Sequence, residues 1–302
     1  MISSAIAASH RRAILQALFV TFLWATSWVL IKLGLQASLP ALTFAGLRYS
    51  LAFLCLAPFV LFNAGHRATL RALPRATWGQ LALLGVVLYT LTQGAQFVGL
   101  AYLPAATLTL LLNLTPIVVA LTSRGLTGET PARGQWAGIL LSAAGAAVYF
   151  FPLALPAGQR IGLVVGLVGV LANVAAALLG RRVNRAGGLS PLLVTTVSMG
   201  IGGGLLLAAG AATQGFGRLG PSQWLIVAWL AVVNTAVAFT LWNHTLRTLT
   251  AVESSVINNT MLPQIAILAW LFLDEPLSAR QIIGMTLVGA GTLVVQLRRR
   301  GV

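Results

Sequence analysis

Charge is what this chain has least of. Only 8% of its 302 residues are charged and just four are acidic, whereas a soluble domain carries about a quarter of its residues as charge. Too little is present to keep a globule of this length wet, so lipid must do the covering. The single cysteine, Cys55, lies in an apolar run and excludes a disulfide framework or a cysteine metal site. His10, His66 and His244 are too scattered to form a zinc cluster, and no HExxH pattern is present. Four carboxylates placed mostly at turns leave no paired acids for an enzyme. No catalytic residue, metal or cofactor is expected. No sizeable soluble stretch exists to pass on a signal.

In place of charge there is apolar length: 58% of the residues are hydrophobic. A bilayer core about 30 Å thick needs roughly 20 apolar residues of helix. Ten such spans are expected, at 13–35, 40–63, 78–101, 104–122, 134–153, 161–180, 190–212, 222–246, 250–272 and 279–297. Loop chemistry separates most of them, including HRATLRALPRAT at 66–77, TGETPARG at 127–134, RRVNRAGG at 181–188 and DEP at 274–276. Arg11 and Arg12 before the first run resemble a signal-peptide start. The run continues to about Leu35, too long for a signal core, so it reads as a retained helix.

With the N-terminus in the cytoplasm, fourteen arginines fall inside, among them Arg11, Arg12, Arg67, Arg71, Arg75, Arg181, Arg182, Arg185 and Arg247. Only Arg160, Arg218 and Arg280 fall outside. This bias places both termini in the cytoplasm and suits an even number of spans. The net charge of +15 is thereby explained by orientation, with no nucleic acid required.

Shifting the chain against itself by 146 residues aligns Trp78 with Trp224, Asn113 with Asn259, Glu129 with Glu275, Gln135 with Gln281, Gly138 with Gly284 and Gly145 with Gly291. Each copy of the Glu–Gln–Gly series leads into the last span of its half. Five spans per half is an odd number, so the second half must enter the membrane from the opposite side. Such inverted repeats underlie alternating-access transporters, with the substrate near mid-membrane.

FLWATSWVLIK at 22–32, PALTFAGLR at 40–48, AYLPAATLTLLLNLTP at 101–116, the following GETP and QWAG segments, LTAVESSVINNTMLPQ at 249–264 and LDEPLSARQIIGMTLVGAGTLVV carry a family resemblance. Together they resemble the two EamA domains of the drug/metabolite transporter superfamily. That resemblance spans nearly the whole chain and implies ten helices in two inverted bundles. It also implies export of amino acids or related metabolites from the bacterial cytoplasm. The fold class expected is all-α integral membrane, ten transmembrane helices as two inverted five-helix repeats around a central cavity. The repeats are residues 1–153 and 154–302.

Asn113 and Asn259 each lie about nine residues into their span, near mid-bilayer at 1.5 Å per residue. An amide facing lipid is costly, so both should face a wet cavity or glue helices together. Asn258, pointing another way, reads as glue. Pro116 and Pro263 follow and should bend their helices, freeing carbonyls beside the amides. Tyr89, Thr92, Gln93 and Gln96 share one helical face of the third span. The matching stretch of the eighth span holds Thr235, Phe239 and Trp242, aromatics where the other half has amides. Trp24 and Trp28, four apart, could flank an apolar part of a substrate or fill space. Trp78, Trp136 and Trp224 sit at span ends as interfacial anchors.

Three charges are embedded. Arg48 needs a partner, water or a substrate carboxylate. Lys32 should snorkel to the outer face. Glu253 could meet a substrate ammonium, carry a coupling proton, or cap its helix beside Thr250. Glu129 and Glu275 read as structural.

Amides, aromatics and few charges suit a secondary transporter that exports small polar metabolites by alternating access. Amino acids lead, including aromatic and other neutral ones. Cationic drugs would call for more carboxylates than Glu253, and sugar nucleotides for more bases than Lys32 and Arg48. Export of drugs or other metabolites, or a channel-like facilitator, is the competing reading. The expected location is the bacterial inner membrane, and the expected partners are a small solute and the bilayer. Small residues in spans five, seven and ten would pack helices within one chain or across a homodimer.

Overall fold

The computed structural model of the chain describes residues 2–35, 39–102, 108, 111–112, 114–127, 132–151, 160–217, 219–273 and 278–297. These residues are helical throughout apart from short connections, with no strand among them. The helices are α1 Ile2–Leu35, α2 Ala41–Leu61, α3 Ala64–Ala72, α4 Arg75–Gly85, α5 Gln93–Tyr102, α6 Thr115–Thr127 and α7 Arg133–Phe150. They continue as α8 Arg160–Arg185, α9 Pro191–Gln214, α10 Pro221–Ala231, α11 Ala238–Thr245, α12 Ala251–Asn259, α13 Met261–Leu273 and α14 Ala279–Leu297. A π-helical segment, Val86–Thr92, joins α4 to α5, and another, Val232–Val237, joins α10 to α11. Along the chain the described helices make up the spans α1, α2, α4–α5, α7, α8, α9, α10–α11, α12–α13 and α14, with α6 the described part of the fourth.

Seven of these helices, among the described residues, are long and apolar enough to cross a membrane unaided. Their outward faces carry what a soluble protein buries: Phe62 is 85% exposed, Leu225 73% and Phe272 69%. A surface of that kind needs lipid against it.

The structure differs from the sequence reading at three boundaries. Part of the loop read at 66–77 is the helix α3, because Asn63 Oδ1 accepts from His66 N–H (3.0 Å) and caps its start. It ends where Leu73 turns extended ahead of Pro74. The sixth span runs on to Arg185, through residues read as a loop. Its polar groups are absorbed internally: Asn184 Nδ2 donates to Gly180 O (2.8 Å), and Arg181 Nη1 to Leu246 O. The ninth span is broken at Thr260, between α12 and α13.

Two helix pairs tie the halves together. α2 packs along α9, where Gly46 lies so close to Leu207 that an added Cβ would meet its Cα at 2.4 Å. α7 packs along α14 with Gly138 on Gly291 and Gly145 on Gly284. A Cβ on the first glycine of either pair would stand 2.6 or 2.7 Å from the partner carbonyl oxygen. Gly284 and Gly291 stand 146 residues after Gly138 and Gly145, so exchanging the halves converts one contact into the other. Gly138, Gly145, Gly284 and Gly291 of spans five and ten therefore serve contacts inside one chain.

Candidate functional site: a central cavity

The inner faces of the spans leave an open cavity of about 160 Å³. It is walled by α1, α2, α5, α8, α11 and the broken ninth span, with Thr92 and Thr115 from the third and fourth. One arc is aromatic. Trp24 and Trp28 of α1 join Phe239 and Trp242 of α11 there. The Trp24 ring lies 4.8 Å from Phe239 and 5.1 Å from Trp242, both tilted, as electrostatically complementary rings prefer. The other surfaces are polar: Gln93 and Gln96 of α5, Asn173 of α8, Asn243 of α11, and Ser254, Ser255, Asn258 and Asn259 of α12.

Gln93 and Phe239 are separated by 146 residues, as are Gln96 and Trp242. All four line the cavity. Positions related by the repeat thus carry an amide in one half and an aromatic ring in the other, and both kinds line the cavity.

Arg48 is the one positive side chain at this wall, 5% exposed. Its Nε donates to Thr235 Oγ1 (2.6 Å) and its Nη2 to Asn234 O (3.2 Å), with Ser27 Oγ at 3.4 Å. The guanidinium carbon lies 5.4 Å from the Tyr49 ring centre. Among the described residues no carboxylate pairs with it; Glu253 Oε1 lies 3.4 Å from His10 Nε2 instead. Nη1 carries no hydrogen bond among the described residues and is the guanidinium's free edge.

Asn259 sits at the broken end of α12. Its Nδ2 is buried without a partner. Pro263 stands four residues on, so the Asn259 carbonyl has no helical N–H to accept from. Pro116 lies one residue inside α6, after a turn at Leu114. Asn113 lies outside the described residues, as do Glu129 and Glu275 and the Lys32 side chain.

Three residues expected at the cavity are elsewhere. Tyr89 is fully buried, its ring 5.3 Å from Tyr49 and 5.1 Å from Phe239. It lies inside the π-helical segment, which turns it off the face that Gln93 and Gln96 share. Thr235, also in a π-helical segment and 0% exposed, serves Arg48 from behind. Glu253 is likewise 0% exposed and closes a capping box, Oε2 accepting from Thr250 N–H (2.8 Å) while Thr250 Oγ1 accepts from Glu253 N–H (3.1 Å). Asn258, read as glue, lines the cavity beside Asn259 in the last turn of α12. Sequence reasoning passed over Asn173 and Asn243. Each is an amide in a largely apolar span, and that contrast was the available signal.

Among the described residues no three His, Cys, Asp or Glu side chains gather to hold a metal. The chain superposes on a solved crystal structure with a TM-score of 0.78 at 19% identity, covering 96% of this chain and 99% of that one. A match at that identity speaks for the fold alone. A Bacillus subtilis (strain 168) protein named "Uncharacterized transporter YvbV" is 27% identical over 297 residues, covering 96% of this chain and 93% of the relative. The EamA-like transporter family matches residues 11–151 and then, separately, residues 160–297. One match in each half, together spanning nearly the whole chain, means that this protein belongs to the EamA-like transporter family.

Proposed function

We propose that the protein exports small zwitterionic metabolites, amino acids foremost, from the bacterial cytoplasm across the inner membrane, with both termini inside. Residues 1–153 and 154–302 act as two rocking halves, with Asn113 and Asn259 between them and the breaks before Pro116 and Pro263 as the places that bend. The observation that carries this reading is Arg48, a desolvated guanidinium without a carboxylate partner among the described residues, at the wall of a cavity lined by both amides and aromatic rings. A solute carboxylate would take the free Nη1 edge by a charge-assisted hydrogen bond. Amides at Gln93, Gln96, Asn258 and Asn259 would meet an ammonium group or polar side chain. The rings of Trp24, Trp28, Phe239 and Trp242 would cover its apolar part.

The test is counterflow in proteoliposomes loaded with unlabelled amino acids and presented with a radiolabelled panel. Saturable accumulation that depends on internal cargo is the expected result. No accumulation across the panel by folded protein would overturn the amino-acid reading and turn the search to other metabolites and drugs. High unitary conductance in a planar bilayer would replace the carrier with a channel.

A further inference from the structure

The eighth span does something unusual behind Arg48. Between Val232 and Val237 it widens into a π-helical turn, and the N–H of Ala238 reaches past Asn234 to the carbonyl of Val233. In an α-helix that N–H would bond to Asn234 O. The bypassed carbonyl instead accepts from two side chains of other spans, Trp24 Nε1 (3.1 Å) and Arg48 Nη2 (3.2 Å). A carbonyl has two lone pairs, and here both are spent on cavity-lining groups. π-turns inside α-helices are frequent at functional sites.

The two side chains of this turn complete the arrangement. Thr235 Oγ1 donates to Leu230 O, five residues back (2.7 Å), which leaves its lone pairs for Arg48 Nε (2.6 Å). Asn234 Nδ2 donates to Leu23 O and to Thr26 Oγ1 (2.8 Å), binding the turn to α1 one residue either side of Trp24 and Ala25. The amide orientation is settled by its partners: Leu23 O can only accept, and Thr26 Oγ1 already gives its proton to Leu23 O (2.7 Å). Both residues are 0% exposed and neither lines the cavity. Arg48 is thus held at Nε and Nη2 from one side, with Nη1 left over.

We infer that Asn234 and Thr235 are positioning residues that aim the Arg48 guanidinium at the carboxylate of the transported solute, so that the π-turn, acting through Arg48, sets discrimination between acids and their neutral analogues. This rests on the reading of Arg48 as a carboxylate anchor. A long arginine side chain free to rotate would bind a carboxylate and its carboxamide less selectively. One clamped through two of its three nitrogens presents a single edge that an amide, lacking charge, satisfies poorly.

The experiment uses the full chain in proteoliposomes and the panel amino acid that the wild type exchanges fastest, with unlabelled acid and its α-carboxamide as competitors. The wild type should prefer the acid by at least about tenfold, the effect of one charge-assisted hydrogen bond. Thr235→Val, close to isosteric, and Asn234→Ala should bring that preference to within about threefold, while Thr235→Ser restores it. If both variants exchange slowly yet keep the wild-type preference, their role is structural only and the inference fails. If the wild type has no preference, or Arg48→Gln keeps it, the carboxylate reading fails instead.

Discussion

Asn184 Nδ2 donates to Asn243 Oδ1 across 2.8 Å, joining the sixth span to the eighth. Asn243 Nδ2 passes the chain on to Thr195 Oγ1 of the seventh (2.9 Å). All three residues are buried, and Asn243 also lines the cavity, as do Gly180 and Leu246. The amides therefore tie the sixth, seventh and eighth spans together by a continuous buried relay beside the cavity.

Replacing Asn184 with alanine leaves the Asn243 oxygen buried and unpaired, a loss of about 1–3 kcal/mol. The expected result is a lower Tm in detergent. The Asn243→Ala variant should show a similar fall, and the double variant less than the sum, because the two share one bond. Additive losses would show that the relay is not a unit.

Asn259→Ala removes a buried amide whose Nδ2 has no protein partner. Little stability should be lost, while the KM for exchange rises up to about tenfold, the range of one neutral hydrogen bond. Asn113→Ala should impair exchange likewise without reducing the amount inserted in the membrane. Normal kinetics in both variants would remove the pair from the site.

Pro263→Ala gives the Asn259 carbonyl an N–H to accept and takes away a ring that clashes in a helix interior, a difference of about 3 kcal/mol in favour of a straight helix. If the break at Thr260 is used in transport, Tm should rise or hold while exchange slows. Faster exchange would show that the break is only a packing adjustment.

Gly138→Val would drive its side chain into Gly291 O, 2.6 Å from the position of an added Cβ. Overpacking of this kind costs about 1–3 kcal/mol. A lowered Tm and an aggregated elution profile are expected, whereas Gly79→Val, at a position with nothing within 4 Å, should behave as wild type.

The cavity residues that sequence reasoning reached and those it missed differ for a definable reason. Gln93, Gln96, Phe239 and Trp242 all stand beyond the π-turns, where α-helical spacing holds, and all four line the cavity. Tyr89 and Thr235, themselves related by the 146-residue repeat, stand inside the π-turns and do not, whereas Thr92, the last residue of the first π-turn, does. A face counted at three and four residues goes out of phase where the turn widens.

Composition by itself determined that the chain lives in lipid, where its spans fall and that its two halves repeat. Those properties follow from how much apolar sequence can be drawn from water and from the need of every backbone group in lipid for an internal partner. Both conditions are met segment by segment. Which polar side chains share one cavity was decided only by the tertiary structure. That depends on helix phase, and the phase is set where two π-turns and a broken span let one helix take hydrogen bonds from another.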